Sequence, residues 1–292
     1  MQIQLANKLE AMYCRLANNT AWLVVGLGLV VLYLPTYRDL INTFWQTDGQ
    51  AHGVIIGLVV VCLVVLQGDK MFATQHSPQN SLGGIVLFMG LLLYAIGRSQ
   101  DILMFEVGSQ APVFAGTLLL MQGTASVRAG WFPLLYLVFM IPLPGTAVDY
   151  LTGSLKQWIS VIAEEILHGA GYPIARDGVV ITIAQYQLLV ADACSGLNSM
   201  FSLSAIGLLF MYLVARPSRL YNGIMLASII PIAFVANLMR VMALILITYY
   251  FGDEAGQGFM HGFAGILLLM VAVVLLFALD AVLARWTLNS YA

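Results

Sequence analysis

The stretch IIPIAFVANLMRVMALILITYY, residues 229–250, decides the fold class of this chain. A membrane-spanning helix needs about 20 mostly apolar residues, and this stretch meets that requirement. Asn237 and Arg240 interrupt its apolar centre, three positions apart and so on one helix face. An arginine at the centre of a span costs roughly 2.5–3.5 kcal/mol on insertion scales. Arg240 is therefore either a functional residue or a structural arginine bonded to carbonyls of a neighbouring helix.

The composition of the whole chain agrees with a membrane protein. Of 292 residues, 61% are hydrophobic and only 9% are charged, whereas soluble domains carry about 25% charged residues. The net charge of −2 and the absence of a basic patch give no indication of nucleic-acid binding. Three cysteines are too few for a disulfide framework. No metal motif such as H-E-x-x-H occurs, and no cofactor is expected.

The apolar runs predict an all-α polytopic membrane protein with about eight transmembrane helices and a single domain over residues 1–292. The runs lie at about 19–36, 53–68, 81–98, 102–122, 129–143, 194–215, 221–249 and 258–284. The fifth run is short and contains Pro133 and Pro142. With a cytoplasmic N-terminus, seven of the 12 basic residues fall in inner segments and four in outer segments. The positive-inside rule therefore predicts that both termini are cytoplasmic.

One predicted outer segment, about 144–193, is long. Its first part has the spacing of an amphipathic helix, which we expect to lie in the outer membrane interface. The expected apolar face consists of Val148, Leu151, Leu155, Trp158, Ile159, Ile162 and Ile166. Two short β-branched strands then follow around Ala184-Gln185. This outer segment leads directly into the sixth span.

The sixth span opens with ADACSGLNSM, residues 191–200, and places Cys194 at its outer end. A helix N-terminus favours the thiolate form of a cysteine. Asn198 lies one turn below Cys194, and Asp192 can cap the helix. The alternative is that Cys194 is simply a small apolar residue. Cys62, in the apolar run VVVCLVVL, is interpreted in that way.

His261 lies near the outer start of the last span, in GQGFMHGFAG, residues 256–265. Because successive spans alternate in direction, Cys194, Arg240 and His261 all fall towards the outer side. Together they could perform acyl transfer: a thiolate attacks a carbonyl, a histidine moves the proton, and an arginine stabilises the oxyanion or orients the substrate. His52 and His168 are also expected on the outer side, so they remain alternatives for the histidine role.

Several motifs resemble those of the exosortase/archaeosortase family of membrane transpeptidases. They are ACSG around Cys194, N-x-x-R-V at Asn237–Val241, H-G-x-x-G at His261–Gly265, FPLLYLVFMIPLP at 132–144 and AHG at 51–53. The resemblance covers most of the chain, and DACSGLNSM looks closest to the exosortase B type.

The resemblance implies a function as well as a fold. By likeness, Cys194 is the nucleophile, Arg240 and His261 are its partners, and Asn198, Asn237 and Asp192 support them. The family implies a Gram-negative inner-membrane enzyme with its active site on the periplasmic side, often associated with exopolysaccharide production. Its substrates are exported proteins that end in a Pro-Glu-Pro-type (PEP-CTERM) signal, a transmembrane helix and a basic tail. The acceptor is unknown, and the lipid bilayer is the other partner.

Other functions remain open from the residues alone. In a transporter or a polysaccharide-export component, Arg240 and Asn237 would line a substrate path, but no inverted repeat is evident. In a membrane scaffold, the same polar residues would be purely structural. A rhomboid-type protease needs a serine nucleophile, and Ser195 is available, but the motif G-x-S-x-G is absent.

Overall fold

A computed structural model describes residues 20–45, 52–72, 80–142, 145–189, 197–216 and 218–289. Its contacts divide the chain into two compact units, Met1–Leu143 and Pro144–Ala292. We call these the first and the second unit and describe each by itself.

The first unit is helical throughout its described residues. Its elements are α1 (Thr20–Asp39), a π-helical turn (Leu40–Phe44), α2 (His52–Met71), α3 (Asn80–Ser99), α4 (Leu103–Gly108), α5 (Gln110–Met121), α6 (Thr124–Ala129), α7 (Trp131–Tyr136) and a 3₁₀ turn (Leu137–Met140).

Glycines bring α3 and α5 close together in the first unit. Along α3, Gly83 meets Leu120 and Gly90 meets Val113, so the two helices are antiparallel. A Cβ atom on Gly90 would lie 2.8 Å from the backbone nitrogen of Val113, and one on Gly116 would lie 2.5 Å from that of Leu87. Small residues at membrane helix interfaces permit this kind of backbone contact.

A polar cluster joins α1, α3 and α4 at one end of the first unit. At its centre, the Glu106 side chain is only 2% exposed. Thr36 donates a 2.7 Å hydrogen bond to Glu106, and the Arg98 guanidinium lies 3.5 Å from the same carboxylate. Arg98 also pairs with Asp39 at 2.6 Å. The buried carboxylate of Glu106 is therefore hydrogen-bonded and next to a cation, as buried charges require.

The second unit combines helices with a small antiparallel sheet. Its elements are α8 (Gly145–Gly169), β1 (Ile174–Asp177), β2 (Val180–Ile183), β3 (Tyr186–Leu189), α9 (Leu197–Val214), α10 (Arg219–Phe251), α11 (Asp253–Gly262) and α12 (Ala264–Asn289). The strand order is β1-β2-β3. The strand pair β2–β3 confirms the two strands predicted around Ala184-Gln185. The third strand, β1, was not predicted, because its sequence IARD lacks the apolar alternation of a strand.

The described residues contain six helices that are long and apolar enough to span a membrane. They are Thr20–Thr43, Gly53–Met71, Ser81–Ser99, Leu103–Met121, Arg219–Phe251 and Ala264–Arg285. These helices confirm an all-α polytopic membrane protein. The fifth and sixth predicted spans correspond to shorter apolar helices, Trp131–Met140 and Phe201–Val214. The total of eight spans remains a prediction.

The amphipathic helix predicted in the outer segment is α8, but its buried face differs from the expected one. The fully buried side chains are Ile159, Ser160 and Ala163, whereas Trp158 is 63% exposed and Ile166 is 47% exposed. The expected face is confirmed at Ile159 and at Leu155 and Ile162, which pack against the same apolar cluster, but it was wrong to include Trp158 and Ile166. The side chains of Val148 and Leu151 lie outside the described part of the chain. Serine and alanine bring α8 close to its neighbours, and the large side chains beside them stay outside.

The last predicted span, 258–284, also differs from the structure. Residues 253–262 form the separate helix α11, and α12 begins only at Ala264, after a turn at Phe263. His261 therefore lies on the helix before the last span, close to its end. Helix α11 contains Asp253, Glu254 and Gln257 as well as His261, so it is far more polar than α12.

Candidate functional site

Cys194 and Asp192 lie outside the described residues. The described chain stops at Leu189, where β3 ends, and resumes at Leu197, where α9 begins. Asn198 lies in the first turn of α9, and its side chain is outside the described part as well.

Arg240 and Asn237 are both buried on α10. The Arg240 residue is 5% exposed and Asn237 is 0% exposed. Arg240 lies eleven residues before Phe251, the last residue of this 33-residue helix. The depth predicted for Arg240, about ten residues from the end of its span, therefore agrees with the helix in the structure. The three-residue spacing puts both side chains on one face of α10.

Contacts between α9 and α10 set the level at which α9 begins. A Cβ atom on Gly207 would lie 2.8 Å from Ile229, and Leu203 packs in one cluster with Ala233 and Ala236. The two helices are thus antiparallel. Ten residues before Gly207 is Leu197, and ten residues after Ile229 is Met239. Because both helices rise about 1.5 Å per residue, α9 begins level with Arg240.

Contacts between α10 and α11 set the level of His261. The Cβ position of Gly256 meets the hydroxyl of Thr248 and lies 3.7 Å from Leu244, so α11 runs back beside α10. His261 follows Gly256 by five residues, and Arg240 precedes Thr248 by eight. At about 1.5 Å per residue, the backbones of His261 and Arg240 differ in depth by about 5 Å. The side chain of His261 lies outside the described part.

Three segments therefore lie at a similar depth along α10 in the second unit: the start of α9, Arg240 with Asn237 on α10 itself, and the end of α11. The contacts between the side chains of Cys194, Arg240 and His261 stay a prediction. Of the two alternative histidines, His168 is exposed on the last turn of α8. His52 begins α2 in the first unit, and its side chain lies outside the described residues.

A large apolar cluster supports α10 beside Arg240. It joins Ile159 of α8 and Ile181 and Ile183 of the sheet to Val241 and Ile245 of α10. All five residues are at most 1% exposed. The side of α10 that adjoins Arg240 is therefore fixed by α8 and the sheet, which the sequence alone did not indicate.

Thr248 is a buried polar residue that was not among the candidate residues predicted from the sequence. It is 0% exposed, and within the described part of the chain its hydroxyl has no hydrogen-bond partner. The spacing of eight residues from Arg240 and eleven from Asn237 puts Thr248 on the same face of α10. This spacing is the feature of the sequence that could have identified Thr248. The contact with Gly256 makes Thr248 part of the interface between α10 and α11.

An ion pair links the start of α10 to α12, at the end of α10 that is farther from Arg240. Arg216 bonds to both carboxylate oxygens of Asp280, at 3.1 and 3.2 Å, and Tyr221 donates to the same carboxylate at 2.5 Å. The hydrogen bond to Asp280 raises the pKa of Arg216 above its ordinary value. Arg216 therefore stays charged, and this clamp helps to hold α12 in register with α10.

Metal ligands are not clustered in the part of the chain that the structure describes. No three His, Cys, Asp or Glu side chains come together there in a way that could hold a metal ion.

Comparison with known proteins bears on both units. Residues 45–278 match a family model described as "Transmembrane exosortase". The matched region covers well over half of the chain and extends across both units. No curated protein and no solved structure matches the chain.

Proposed function

Since the chain belongs to the transmembrane exosortase family, we propose that it is a cysteine transpeptidase that works at the outer face of the membrane. Its substrates would be exported proteins that end in a Pro-Glu-Pro-type signal, a transmembrane helix and a basic tail. The proposal treats both units as one exosortase domain of an inner-membrane protein, with the active site on the periplasmic side and both termini in the cytoplasm.

The proposed reaction proceeds through a thioester. The thiolate of Cys194 attacks the scissile carbonyl, which forms a C–S bond and a tetrahedral oxyanion. Arg240 donates to this oxyanion. The C–N bond then breaks, and His261 gives its proton to the leaving amine of the signal segment. An acceptor amine or hydroxyl then attacks the thioester and gives its proton to His261, the C–S bond breaks, and the thiolate of Cys194 is restored.

The observation that carries this proposal is the register of the three helices. It brings the start of α9, Arg240 and the end of α11 to a common level. Cys194 precedes α9 by three residues, and His261 is the next-to-last residue of α11. A nucleophile, its base and an oxyanion donor need to lie within hydrogen-bond reach of one substrate, which a common level makes possible.

The test uses an exported reporter that ends in the three-part signal. Cells that express the full-length protein should shorten the reporter, which is measured as a change in its size. The variant Cys194→Ala should leave the reporter at full length, because no thioester can form. The matched control is Cys62→Ala, since Cys62 lies on α2 and has no role in the proposal. Normal processing by Cys194→Ala would contradict the proposed function.

A further inference from the structure

The strand β3 is an edge of the sheet, and the proposed reaction gives it no role. We propose that β3, Tyr186–Leu189, binds an extended segment of the substrate as a fourth strand of the sheet. The inference rests on the proposed function, because it takes the substrate to be a peptide.

The hydrogen-bond pattern of the sheet shows which backbone groups face that edge. Ile183 and Tyr186 are paired across a two-residue loop. The backbone N–H of Ala184 donates to the carbonyl of Pro173, at 3.1 Å, so the even-numbered residues of β2 face β1. Tyr186 and Leu188 then bond to β2, because the direction of the bonds alternates along an antiparallel strand.

Gln187 and Leu189 consequently direct their N–H and C=O groups away from β2. Within the described part of the chain, no backbone hydrogen bond uses these groups. Two donors and two acceptors in strand geometry are complementary to the backbone of an extended peptide. A lipid chain has no groups that match this pattern.

The opposite edge of the sheet, β1, is held by contacts within the second unit. The N–H of Ile174 donates to the carbonyl of Tyr172, at 2.9 Å. The side chain of Arg176 pairs with Glu164 of α8, at 2.9 Å, which holds β1 against that helix. Within the described part of the chain, one outward N–H group of β1 is thus already bonded, whereas no outward backbone group of β3 is.

The sheet presents β3 from a fixed base. Ile181 and Ile183 of β2 are 0% exposed in the apolar cluster with α8 and α10, and Tyr186 and Leu188 pack against that cluster. Gln187 and Leu189 point to the other face and are exposed. A fourth strand would have alternate side chains beside Tyr186 and Leu188. Selectivity for every second residue of the peptide should follow.

The position of β3 in the chain connects this edge to the proposed chemistry. β3 ends at Leu189, five residues before Cys194. A peptide held along β3 would therefore lie beside the strand that leads into the proposed nucleophile. The other possible occupant is the β3 edge of a second copy of this chain, and the experiments below separate the two.

The first experiment compares two substitutions at Gln187 in the full-length protein. Gln187→Pro removes the outward N–H group, whereas Gln187→Ala removes only the side chain. Proline is tolerated at an edge strand whose N–H faces outward, and melting temperatures in detergent will verify that both variants fold. We expect Gln187→Pro to process the reporter at least about tenfold more slowly than Gln187→Ala, because only the proline variant loses the outward N–H group. Equal rates for two folded variants would overturn the proposal.

The second experiment maps contacts by photo-crosslinking in the Cys194→Ala background, which should keep the reporter uncleaved. A benzophenone amino acid at Gln187 should crosslink to the reporter, whereas the same probe at Ala175, exposed on β1, should crosslink far less. Equal labelling at the two edges, or crosslinks at Gln187 only to a second copy of this chain, would overturn the proposal.

The two proposals fail in different ways. If Cys194→Ala still shortens the reporter, the proposed nucleophile is wrong, while the ratio of the crosslinks at Gln187 and Ala175 still reports on the edge. If Cys194→Ala blocks processing and Gln187→Pro does not slow it, only the edge proposal is wrong.

Discussion

The two units bury charged side chains in different places along their helices. In the first unit, Glu106 lies in the first turn of α4, next to Thr36 and to Arg98, whose side chain is 43% exposed. In the second unit, Arg240 lies eleven residues from the end of α10, where the start of α9 and the end of α11 come level with it. The first charge is near a helix end, whereas the second is deep inside a long helix.

This difference suggests two roles for a buried charge in a membrane protein. A charge near a helix end can pair with a partly exposed residue, so it costs little and can join helices. A charge deep inside a span is expensive, and such residues mark functional sites by default. We therefore interpret Glu106 as structural and Arg240 as catalytic, and the following substitutions test that contrast.

The largest effect is expected for Arg240→Ala. Loss of an oxyanion donor lowers the rate of the chemical step by about 10²–10³-fold. The measurement is the rate at which the reporter is shortened, normalised to the amount of folded protein in the membrane. Arg219→Ala is the matched control, because Arg219 lies on the same helix but is exposed. Wild-type rates for Arg240→Ala would remove the contrast between the two units.

A medium effect, on stability, is expected for Gly90→Ala in the first unit. The added methyl group would meet the backbone of Val113 and Pro112, so α3 and α5 must separate. Overpacking of this kind costs typically about 1–3 kcal/mol in free energy of unfolding. Gly84→Ala on the same helix is the control, since its Cβ would meet nothing within 4 Å. The free energy of unfolding in detergent should fall for Gly90→Ala alone, and equal stabilities would show that α3 and α5 pack less closely than described.

The smallest effect is expected for Glu106→Gln. The amide still accepts the hydrogen bond from Thr36, and only the attraction to Arg98 is lost. An ion pair with a partly exposed partner contributes about 0–1 kcal/mol, so the free energy of unfolding should fall by about that amount. Reporter processing per folded molecule should not change. A loss of processing with the fold intact would mean that Glu106, like Arg240, is functional.

The long apolar runs predicted most of the fold, because a span needs little more than length and low polarity. The same rule does not fix details that depend on packing. It did not reveal that Ser160 and Ala163 face the core of the second unit while Trp158 is exposed. It also extended the last span through Phe263, because a count of apolar residues does not register where a chain turns.

The candidate site was predictable to a similar degree. Arg240 was identified because a charge in an apolar run is conspicuous, and the structure confirms that it is buried. His261 was assigned to the start of the last span, but it lies near the end of α11, since the chain turns between α11 and α12. Thr248 was overlooked, because a threonine in an apolar helix is common and only its contact with Gly256 distinguishes it.

The two glycine contacts of α10 bear on how this protein can evolve. Ile229 against Gly207 and Thr248 against Gly256 fix the helix on both sides of Arg240. Deleting one residue between these contacts would turn one of them by about 100° relative to the other. Single insertions and deletions in residues 229–248 should therefore be eliminated by selection even where substitutions are accepted. We expect homologues to vary in length in their loops and to keep this interval constant, and an alignment with frequent gaps there would contradict this.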